Sequence, residues 1–290
     1  MNEIVILSGK GGTGKTSITA ALAIMAGNNA VTADCDVDAA DMHLLLKPDF
    51  GKTIEFYSGE LAVINLSLCT CCAKCEDVCR FKAISYVENR YQISTLDCEG
   101  CGYCEKICPT QAITMQERKS GNVYISKTKF GSIMVHARLD VGAANSGKLV
   151  AKVKNEAKLI ATGKNKHFIL VDGSPGIGCP VVSSLSGANY VVLVTEPTLS
   201  GLHDLKRIYA VIKHFRIKAG CIINKYDINK EQTIEIKKFL HGEQIDHLAD
   251  IPYNPFFSKA MVEGKAIVEI ESPLKQLLEE IWTSIKERMT

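Results

Sequence analysis

The chain alternates short apolar runs with longer stretches in which apolar residues recur at helical spacing. The apolar runs that have the length of β-strands are 4–7, 30–33, 61–65, 168–171, 190–195, 220–223 and 247–251. The helical stretches between them include 14–27, 146–162, 201–214 and 230–241. Strands that alternate with helices are typical of parallel β-sheets, because each parallel pair needs a crossover connection. The pattern therefore predicts an α/β fold with a doubly wound, mostly parallel sheet.

A last helical pattern follows Ser272-Pro273 and has one apolar face. Its apolar residues are Leu274, Leu277, Leu278, Ile281, Trp282 and Ile285. The opposite face mixes lysine, arginine and glutamate, whereas helices that lie on membranes are biased toward lysine and arginine. We therefore expect this helix to pack against the sheet, and we expect no stable membrane association.

Composition and charge change this picture little. Hydrophobic residues make up 46% of the 290 residues, charged residues make up 23%, and the net charge is +2. These values are ordinary for a globular protein and give no indication of a nucleic-acid partner. No apolar run reaches the length of a membrane span, and the first strand pattern begins too early for a signal peptide. We therefore expect a cytoplasmic protein.

A glycine-rich segment joins the first predicted strand to the first predicted helix. It reads Gly9-Lys10-Gly11-Gly12-Thr13-Gly14-Lys15-Thr16, which is a P-loop in its usual strand–loop–helix context. The backbone N–H groups of such a loop surround phosphates, its lysine contacts the β- and γ-phosphates, and its threonine binds Mg²⁺. The alternative is an ordinary glycine-rich turn. The candidate nucleotide-binding residues are Gly11, Gly12, Thr13, Gly14, Lys15, Thr16 and Ser17.

The position of Lys10, ahead of the usual P-loop lysine, gives the loop a special form. This form resembles the deviant Walker A motif of the MinD/ParA/Mrp superfamily, to which the nitrogenase iron protein is related. The resemblance implies an ATPase that hydrolyses ATP to ADP and phosphate. It also implies a homodimer that encloses ATP, in which Lys10 reaches the nucleotide of the other subunit and takes part in catalysis with Lys15. A solvated loop lysine is the alternative.

Two acidic segments resemble the switch regions of the same superfamily. In Asp34-Cys35-Asp36-Val37-Asp38, the resemblance implies that Asp36 is catalytic and positions the attacking water. Asp172 ends the apolar run 168–171 and is followed by Gly173-Ser174-Pro175-Gly176. By resemblance, Asp172 belongs to the Mg²⁺ shell with Thr16, and the Gly176 N–H contacts the γ-phosphate. Taken alone, an acid at a strand end is more often a cap or a turn residue.

Two further segments concern the nucleotide base. Asn224-Lys225 ends one strand pattern and Ile251-Pro252-Tyr253 ends the next, and both resemble elements beside adenine in the superfamily. We expect Asn224 and Pro252 to contact the base. The Asn-Lys-x-Asp string at 224–227 also resembles guanine-specific GTPases. ATP is favoured because the P-loop and the first switch segment match the ATP-using branch.

The most distinctive chemistry lies in two cysteine runs, Cys69-x2-Cys72-x2-Cys75-x3-Cys79 and Cys98-x2-Cys101-x2-Cys104-x3-Cys108-Pro109. In two-cluster proteins, the first three cysteines of each run bind one [4Fe-4S] cluster and the fourth binds the other. The predicted ligand sets are Cys69, Cys72, Cys75 and Cys108 for one cluster, and Cys98, Cys101, Cys104 and Cys79 for the other. Disulfides and zinc sites are the alternatives, but they suit neither a long chain without a signal peptide nor four cysteines per run.

The stretches 69–84 and 98–113 also match each other, which indicates an internal repeat. The segment resembles a bacterial two-cluster ferredoxin, from which it departs at Arg80, where proline is usual, and at the additional Cys71. We therefore predict a ferredoxin-like α+β domain at 66–130, inserted into an ATPase domain formed by 1–65 and 131–290.

Some residues have no assigned role. The run from Asn145 to Lys148 is either a helix cap or a contact to a nucleotide or partner. For Cys35, Cys179 and Cys221, packing is favoured over ligation of a third cluster shared between subunits.

Together these patterns predict an iron–sulfur ATPase with ATP, Mg²⁺ and two [4Fe-4S] clusters as cofactors. The favoured function is electron transfer to a partner protein, coupled to ATP hydrolysis and ATP-dependent dimerisation. The alternative is an Mrp-like factor that assembles or delivers a metallocluster to an acceptor. MinD-like positioning on membranes is disfavoured, as is a metabolite kinase.

Overall fold

The structure, a computed structural model, describes residues 1–37, 40–143 and 146–289. Contacts between Cα atoms divide the chain into two compact units. The first unit contains Met1–Ile54, Val123–Arg138 and the chain from Ser146 onward. The second unit contains Glu55–Asn122 and Leu139–Asn145.

The described residues form β-strands and α-helices in the following order along the chain. The strands are β1 (Asn2–Leu7), β2 (Ala30–Asp34), β3 (Lys52–Ile64), β4 (Ile84–Val87), β5 (Arg90–Ile93), β6 (Ile113–Lys127), β7 (Ile133–Leu139), β8 (Phe168–Asp172), β9 (Tyr190–Thr195), β10 (Lys218–Asn224) and β11 (Asp246–Ile251). The helices are α1 (Lys15–Ala26), α2 (Met42–Leu46), α3 (Lys74–Asp77), α4 (Tyr103–Ile107), α5 (Ser146–Gly163), α6 (Cys179–Leu185), α7 (Leu199–His214), α8 (Lys230–Gly242), α9 (Phe256–Val262) and α10 (Leu274–Glu287).

Nine strands form one sheet in the order β11-β10-β9-β1-β8-β2-β7-β6-β3. The strand β1 lies between β8 and β9 and runs parallel to both. The strands β10 and β11 extend the parallel sheet on one side, and β2 and β7 extend it on the other. The strand order reverses at β1, which is the mark of a doubly wound sheet. The predicted α/β fold with a mostly parallel sheet is confirmed.

The central strands are buried on both faces. Ile4, Val5, Ile6 and Leu7 of β1 have no exposed surface, and all of β9 is buried. Helices cover both faces of a parallel sheet, so its inner strands read as continuous apolar runs. The buried strands β2 and β8 end in polar residues, Asp34 and Asp172. Because these strands are parallel, both aspartates lie at the same edge of the sheet.

The helix α10 buries its apolar face in the core of the first unit. Its residues Leu274, Leu278, Ile281, Trp282 and Ile285 are at most 6% exposed. The expectation that this helix packs within the protein is therefore confirmed. Within the described residues, no helix combines the length and apolar character needed to cross a membrane.

The second unit has a small core and repeats one local conformation twice. Its core consists of Ala62, Cys75, Ala83, Ile84, Tyr91, Cys98 and Ile113. Three pairs of residues, each 29 positions apart, share a positive backbone φ: Cys71 and Gly100 (55° and 65°), Ala73 and Gly102 (65° and 70°), Lys82 and Gln111 (53° and 53°). The short helices α3 and α4 begin at equivalent positions after these turns. The internal repeat seen in the sequence is therefore also a repeat of backbone structure.

Candidate functional site

The P-loop connects β1 to α1 and lines the larger of two adjoining cavities. This cavity has a volume of about 490 Å³, and its wall includes every residue from Gly11 to Ser17 together with Asp36. Gly14 has φ +92°, and a Cβ atom at this position would lie 2.5 Å from Asn224 Nδ2. Only glycine tolerates both this conformation and this close approach. The structure thus brings the predicted phosphate-binding residues together around one cavity.

Lys15 lies at the start of α1 and is buried against two carboxylates. Its Nζ atom lies 2.9 Å from Asp172 Oδ1 and 3.6 Å from Asp36 Oδ2. Burial by itself would lower the pKa of Lys15, but the negative charges of Asp172 and Asp36 outweigh it and raise that pKa. Lys15 is therefore a charged ammonium group in the wall of the larger cavity.

Asp172, at the end of β8, also holds two hydroxyl groups. Thr16 Oγ1 donates to Asp172 Oδ2 over 2.8 Å, and Thr19 Oγ1 donates to Asp172 Oδ1 over 2.9 Å. The two residues predicted to share the Mg²⁺ shell, Thr16 and Asp172, are therefore in direct contact. Hydroxyl and carboxylate oxygens are suitable ligands for Mg²⁺, so these residues fit the ion.

Asp34, at the end of β2, lies beside Asp172 in the sheet. The two aspartates are paired in the parallel register of β2 and β8. Asp34 Oδ1 accepts the Asp36 N–H, whereas Asp34 Oδ2 is buried and has no hydrogen-bond partner among the described residues. Burial, followed by the charge of Asp172, raises the pKa of Asp34 well above its ordinary value. A buried carboxylate oxygen without a partner beside a second carboxylate is the electrostatic setting that a cation would relieve.

The two predicted switch segments are bonded to each other and to the P-loop. Cys35 N donates to Asp172 O over 2.8 Å, and Ser174 Oγ donates to Cys35 O over 2.8 Å. The Gly176 N–H, which was predicted to contact the γ-phosphate, donates to Ser8 O over 3.0 Å. A contact from the Gly176 N–H to the γ-phosphate would require its hydrogen bond to Ser8 O to break. Asp38, at the end of the first switch segment, lies outside the described residues.

Lys10 is held by its own chain. Its Nζ atom lies 2.6 Å from Glu196 Oε1 and contacts the hydroxyls of Thr198 and Ser200 at 3.2 and 3.0 Å. Glu196 also binds Lys225, whose Nζ atom lies 3.0 Å from its Oε2. Lys10 is therefore not a solvated loop lysine in this conformation. To reach a second subunit, it would have to leave Glu196.

A second cavity of about 160 Å³, which we call the base-side cavity, adjoins the P-loop on the side of Asn224. Asn224 Nδ2 donates to Thr13 O over 2.8 Å and its Oδ1 accepts the Lys225 N–H over 3.0 Å, so this side chain ties β10 to the P-loop. Pro252 immediately precedes Tyr253, which lines the cavity together with Phe257. Tyr253, rather than Pro252, is therefore the residue of the predicted adenine-side segment that lines this cavity. Phe257 was not predicted, because nothing in the local pattern of α9 distinguishes it from a packing residue.

Asp227 completes the string that resembled guanine-specific GTPases, and its carboxylate is engaged elsewhere. Asp227 Oδ1 accepts the Tyr253 N–H over 2.6 Å. An aspartate that reads guanine must present its carboxylate to the donors of the base. In this conformation, one of the two carboxylate oxygens of Asp227 is instead engaged by the backbone of Tyr253.

The cysteines of the second unit line two separate cavities. We call the cavity that contains Cys69, Cys72, Cys75 and Cys108 the first cysteine cavity. The second cysteine cavity contains Cys79, Cys98, Cys101 and Cys104. Each cavity takes three cysteines from one run and the fourth from the other run. The structure thus brings together each of the two predicted ligand sets.

Backbone N–H groups point at the fourth cysteine of each run. Ala83 N donates to Cys79 Sγ over 3.4 Å, and Ala112 N donates to Cys108 Sγ over 3.2 Å. Burial alone would raise the pKa of Cys108, but the hydrogen bonds from Ala112 and Thr110 outweigh it and lower that pKa. Donors of this kind stabilise a thiolate, which is the form that binds metal.

Within the described residues, no group of three or more His, Cys, Asp or Glu side chains is arranged to hold a metal ion. In a [4Fe-4S] cluster, however, each thiolate bonds a different iron atom, so the four sulfurs surround the cluster without meeting at one point. Two walls of four cysteines, with N–H donors aimed at sulfur, fit such a group better than a single ion.

The remaining cysteines lie outside both walls. Cys71 is exposed and occupies the position equivalent to Gly100 in the repeat. Cys35 and Cys221 are fully buried, and burial raises the pKa of both thiols. Cys179 is exposed at the start of α6, where its Cβ atom lies 3.2 Å from the place that a Cβ atom at Gly147 would occupy. Asn145 of the unassigned run lies outside the described residues.

Known proteins resemble the chain over nearly its whole length. Uncharacterized protein MJ0578 of Methanocaldococcus jannaschii is 34% identical over 288 residues, which cover 98% of this chain and 96% of the relative. The cell division ATPase MinD of Pyrococcus furiosus has a similar fold, with a TM-score of 0.60, 20% identity and 99% of each chain covered. MinD of Pyrococcus horikoshii, solved with Mg-ADP, gives a TM-score of 0.60 with 21% identity and covers 99% of this chain and 96% of its own.

The profile of one protein family matches residues 4–267, from within β1 to a point shortly before α10. This range contains the P-loop, both switch segments and the base-side cavity, and it runs past the cysteine cavities as well. The chain therefore belongs to the CobQ/CobB/MinD/ParA nucleotide-binding domain family of P-loop ATPases.

Proposed function

We propose that this protein is an ATP-dependent iron–sulfur electron carrier that binds two [4Fe-4S] clusters and passes electrons to a partner protein. One observation carries the proposal: two interleaved sets of four cysteines line two cavities in a chain whose other unit has the P-loop ATPase site. When bound, the clusters would supply one-electron redox chemistry. Cys69, Cys72, Cys75 and Cys108 would hold one cluster, and Cys79, Cys98, Cys101 and Cys104 the other.

The nucleotide part of the proposal rests on the contacts around Lys15. ATP would attract Lys15 to its phosphates, and Mg²⁺ would replace the lysine charge beside Asp172, which is paired with Asp34 in the sheet. The bound Mg-ADP of Pyrococcus horikoshii MinD supports this assignment. Asp36 would then orient the water that attacks the γ-phosphate. Release of Lys10 from Glu196 would make it available to the nucleotide of a second subunit, giving a homodimer.

Coupling requires that the two nucleotide states differ in their contacts. The hydrogen bond from the Gly176 N–H to Ser8 O is a contact that a γ-phosphate would compete with. Movement of Asp36 and of residues 172–176 would therefore accompany ATP binding. We propose that this movement changes either the reduction potential of the clusters or the access of the partner to them.

Cluster delivery, in the manner of Mrp-like proteins, is the alternative use of the same cysteines. A delivery factor needs a labile site, often one shared between subunits. Here both cysteine sets are complete within one chain and receive N–H donors at Cys79 and Cys108, which favours retention of the clusters. Electron transfer is therefore the first choice.

MinD-like positioning is a second candidate, favoured by the similarity of the fold to MinD over 99% of this chain. Identity of 20% supports the fold alone. The amphipathic helix α10 buries the apolar face that a membrane anchor would expose. A positioning role also does not explain the eight cysteines that line the two cysteine cavities, so we rank it below the redox proposal.

The first test is the iron and acid-labile sulfide content of anaerobically purified protein. Two clusters correspond to about eight iron atoms and eight sulfides per chain. Cys101→Ser should halve this content, whereas Cys71→Ser, its matched control outside both walls, should leave it unchanged. Stoichiometric zinc with no visible absorption would contradict the cluster assignment.

The second test separates electron transfer from delivery. We expect a non-hydrolysable ATP analogue to shift the potentiometric titration or the rate of electron transfer, while the clusters stay bound during incubation with apo-acceptor proteins. Stoichiometric transfer of iron and sulfide to an acceptor, with no ATP-dependent redox change, would favour delivery instead. A protein without clusters that oscillates between membrane and solution with ATP would favour the MinD-like role.

A further inference from the structure

The two cysteine cavities are related by the internal repeat, so differences between their walls can be compared position by position. Among the positions that line both cavities, three differ in charge or polarity. The first cysteine cavity has Thr70, Lys74 and Thr110 where the second cysteine cavity has Glu99, Tyr103 and Phe81, each pair being 29 residues apart.

At these positions, the residues of the first cysteine cavity favour the reduced state of a cluster more than those of the second cysteine cavity do. Reduction makes a cluster more negative, so a nearby cation favours the reduced state and a nearby anion opposes it. Lys74 supplies a cation to the first cysteine cavity, and Glu99 supplies an anion to the second. Net charge beside the cluster is one of the quantities that set its potential.

Hydrogen bonds to the cysteine sulfur atoms also favour reduction at the first cysteine cavity. Cys108 in the first cysteine cavity has two partners, Ala112 N at 3.2 Å and the Thr110 hydroxyl at 3.7 Å. For Cys79 in the second cysteine cavity, the corresponding contact is the one from Ala83 N at 3.4 Å, and the residue equivalent to Thr110 is the apolar Phe81. A hydrogen bond to a thiolate ligand stabilises the more negative, reduced state.

Charges outside the two walls do not follow this pattern. Arg80 is exposed and is not among the residues that line the second cysteine cavity, although its equivalent, Pro109, lines the first. Asp77 on α3 and Lys106 on α4 are equivalent to each other, are exposed, and have the opposite arrangement of signs. Lys74 and Glu99 are exposed as well, but they line the cavities, and screening by water and salt grows with distance. The groups that line the cavities are therefore expected to dominate.

We propose that the two clusters are not equivalent: the cluster of the first cysteine cavity is reduced first, and the cluster of the second cysteine cavity is the low-potential site. This inference rests on the proposed iron–sulfur function and adds a direction to it. The single electron of a half-reduced protein would reside at the first cysteine cavity, and only the fully reduced protein would offer the stronger reductant at the second.

An anaerobic potentiometric titration of the full chain, followed by EPR, tests the proposal. The native protein should show two resolved one-electron steps. Lys74→Tyr, which installs the residue of the equivalent position, and Thr110→Val should each lower the higher-potential step alone. Glu99→Gln should raise the lower-potential step alone. Asp77→Asn, the matched control for an exposed charge outside the walls, should shift both steps less than Lys74→Tyr does.

The outcomes separate the two proposals. Absence of iron and sulfide would overturn the proposed function and this inference with it. Two bound clusters that titrate as one unresolved step, or a shift of the lower step by Lys74→Tyr, would overturn the inference and leave the proposed function standing. A shift from Asp77→Asn as large as that from Lys74→Tyr would also overturn it, because wall position would then not matter.

Discussion

The nucleotide site and the cysteine cavities are built in opposite ways. Asp34 and Asp172 are 1% and 0% exposed at the ends of strands inside a large sheet, and the Nζ atom of Lys15 already lies 2.9 Å from Asp172 Oδ1. In contrast, Cys72 and Cys101 are exposed, and the small core of the second unit counts Cys75 and Cys98 among its members. The fold preforms the first site, whereas the second unit uses the prospective ligands as part of its core.

This difference predicts that removal of the clusters has the largest effect and that the effect stays in one unit. Small domains with few buried residues depend on bound metal for stability, because metal binding is coupled to folding. We expect anaerobic removal of iron to make 55–122 sensitive to limited proteolysis, while 1–54 and 146–289 stay protected. Proteolysis read by mass spectrometry checks this. Equal protection of both units after iron removal would show that the cysteine unit is as preformed as the nucleotide site.

The second prediction concerns Lys15, where the expected effect is on binding. Lys15→Ala removes the cation that would face the β- and γ-phosphates, and a charged contact of about 3 kcal/mol corresponds to about 100-fold weaker ATP binding. The exposed Lys158 on α5 offers a control, Lys158→Ala, with unchanged affinity. Titration calorimetry measures the affinity. Iron content should be unaffected by either change, and a loss of iron in Lys15→Ala would break the separation between the two sites.

The third prediction separates Lys10 from Lys15. Lys10 lies at Glu196 in this conformation, whereas Lys15 is paired with Asp172, which would hold Mg²⁺. We therefore expect Lys10→Ala to bind ATP within about threefold of the native protein, a difference below 1 kcal/mol. Hydrolysis and ATP-dependent dimerisation should be lost. Sedimentation with a non-hydrolysable analogue and phosphate release measure these two properties. Native dimerisation and turnover in Lys10→Ala would refute the proposal that Lys10 leaves Glu196 to contact the nucleotide of a second subunit.

The sequence predicted the ATPase part of the fold well, because its strands are buried on both faces. The strand at 190–195 was predicted with the bounds that β9 has, and the strand at 168–171 lacks only Asp172. The strand β7 was missed. It pairs with β2, but His136 and Arg138 interrupt its apolar pattern. His136 is nevertheless buried, because its ring contacts Ser126 and stacks on Tyr124. Such tertiary contacts are invisible to a local pattern.

Among the residues that line the cavities, those within motifs could be named from the sequence, and those positioned by distant segments could not. The P-loop and the cysteine runs have fixed spacing, so their residues were identified from the sequence. Glu196, which holds Lys10, is 186 residues away from it, and no local pattern connects the two. The same holds for Phe257, which reaches the base-side cavity from α9. The sequence indicated Asp34 only as the acid that precedes Asp36. That its Oδ2 atom is buried without a hydrogen-bond partner among the described residues is a property of the folded sheet.

The smallest expected effect concerns Asp34 and probes how far the nucleotide site is preformed for a cation. Its pKa is raised in the folded state by burial and by Asp172, so the folded protein binds a proton more readily than the unfolded chain. Stability of the nucleotide-free protein should therefore fall as pH rises above the unfolded value near 4. Asp34→Asn should abolish this dependence and raise the free energy of unfolding at pH 7 by about 1–2 kcal/mol. Urea unfolding of the first unit, followed at several pH values, measures both quantities.

Asp172→Asn supplies the matched contrast, because Asp172 binds Lys15, Thr16 and Thr19. Removing that carboxylate should lower stability, while both variants should weaken Mg²⁺-dependent ATP binding. If Asp34→Asn destabilised the protein as Asp172→Asn does, Asp34 would be a satisfied structural acid. A gain in stability together with a loss of Mg²⁺-dependent binding would instead mean that the sheet holds Asp34 in place for the cation, at a cost to the nucleotide-free fold.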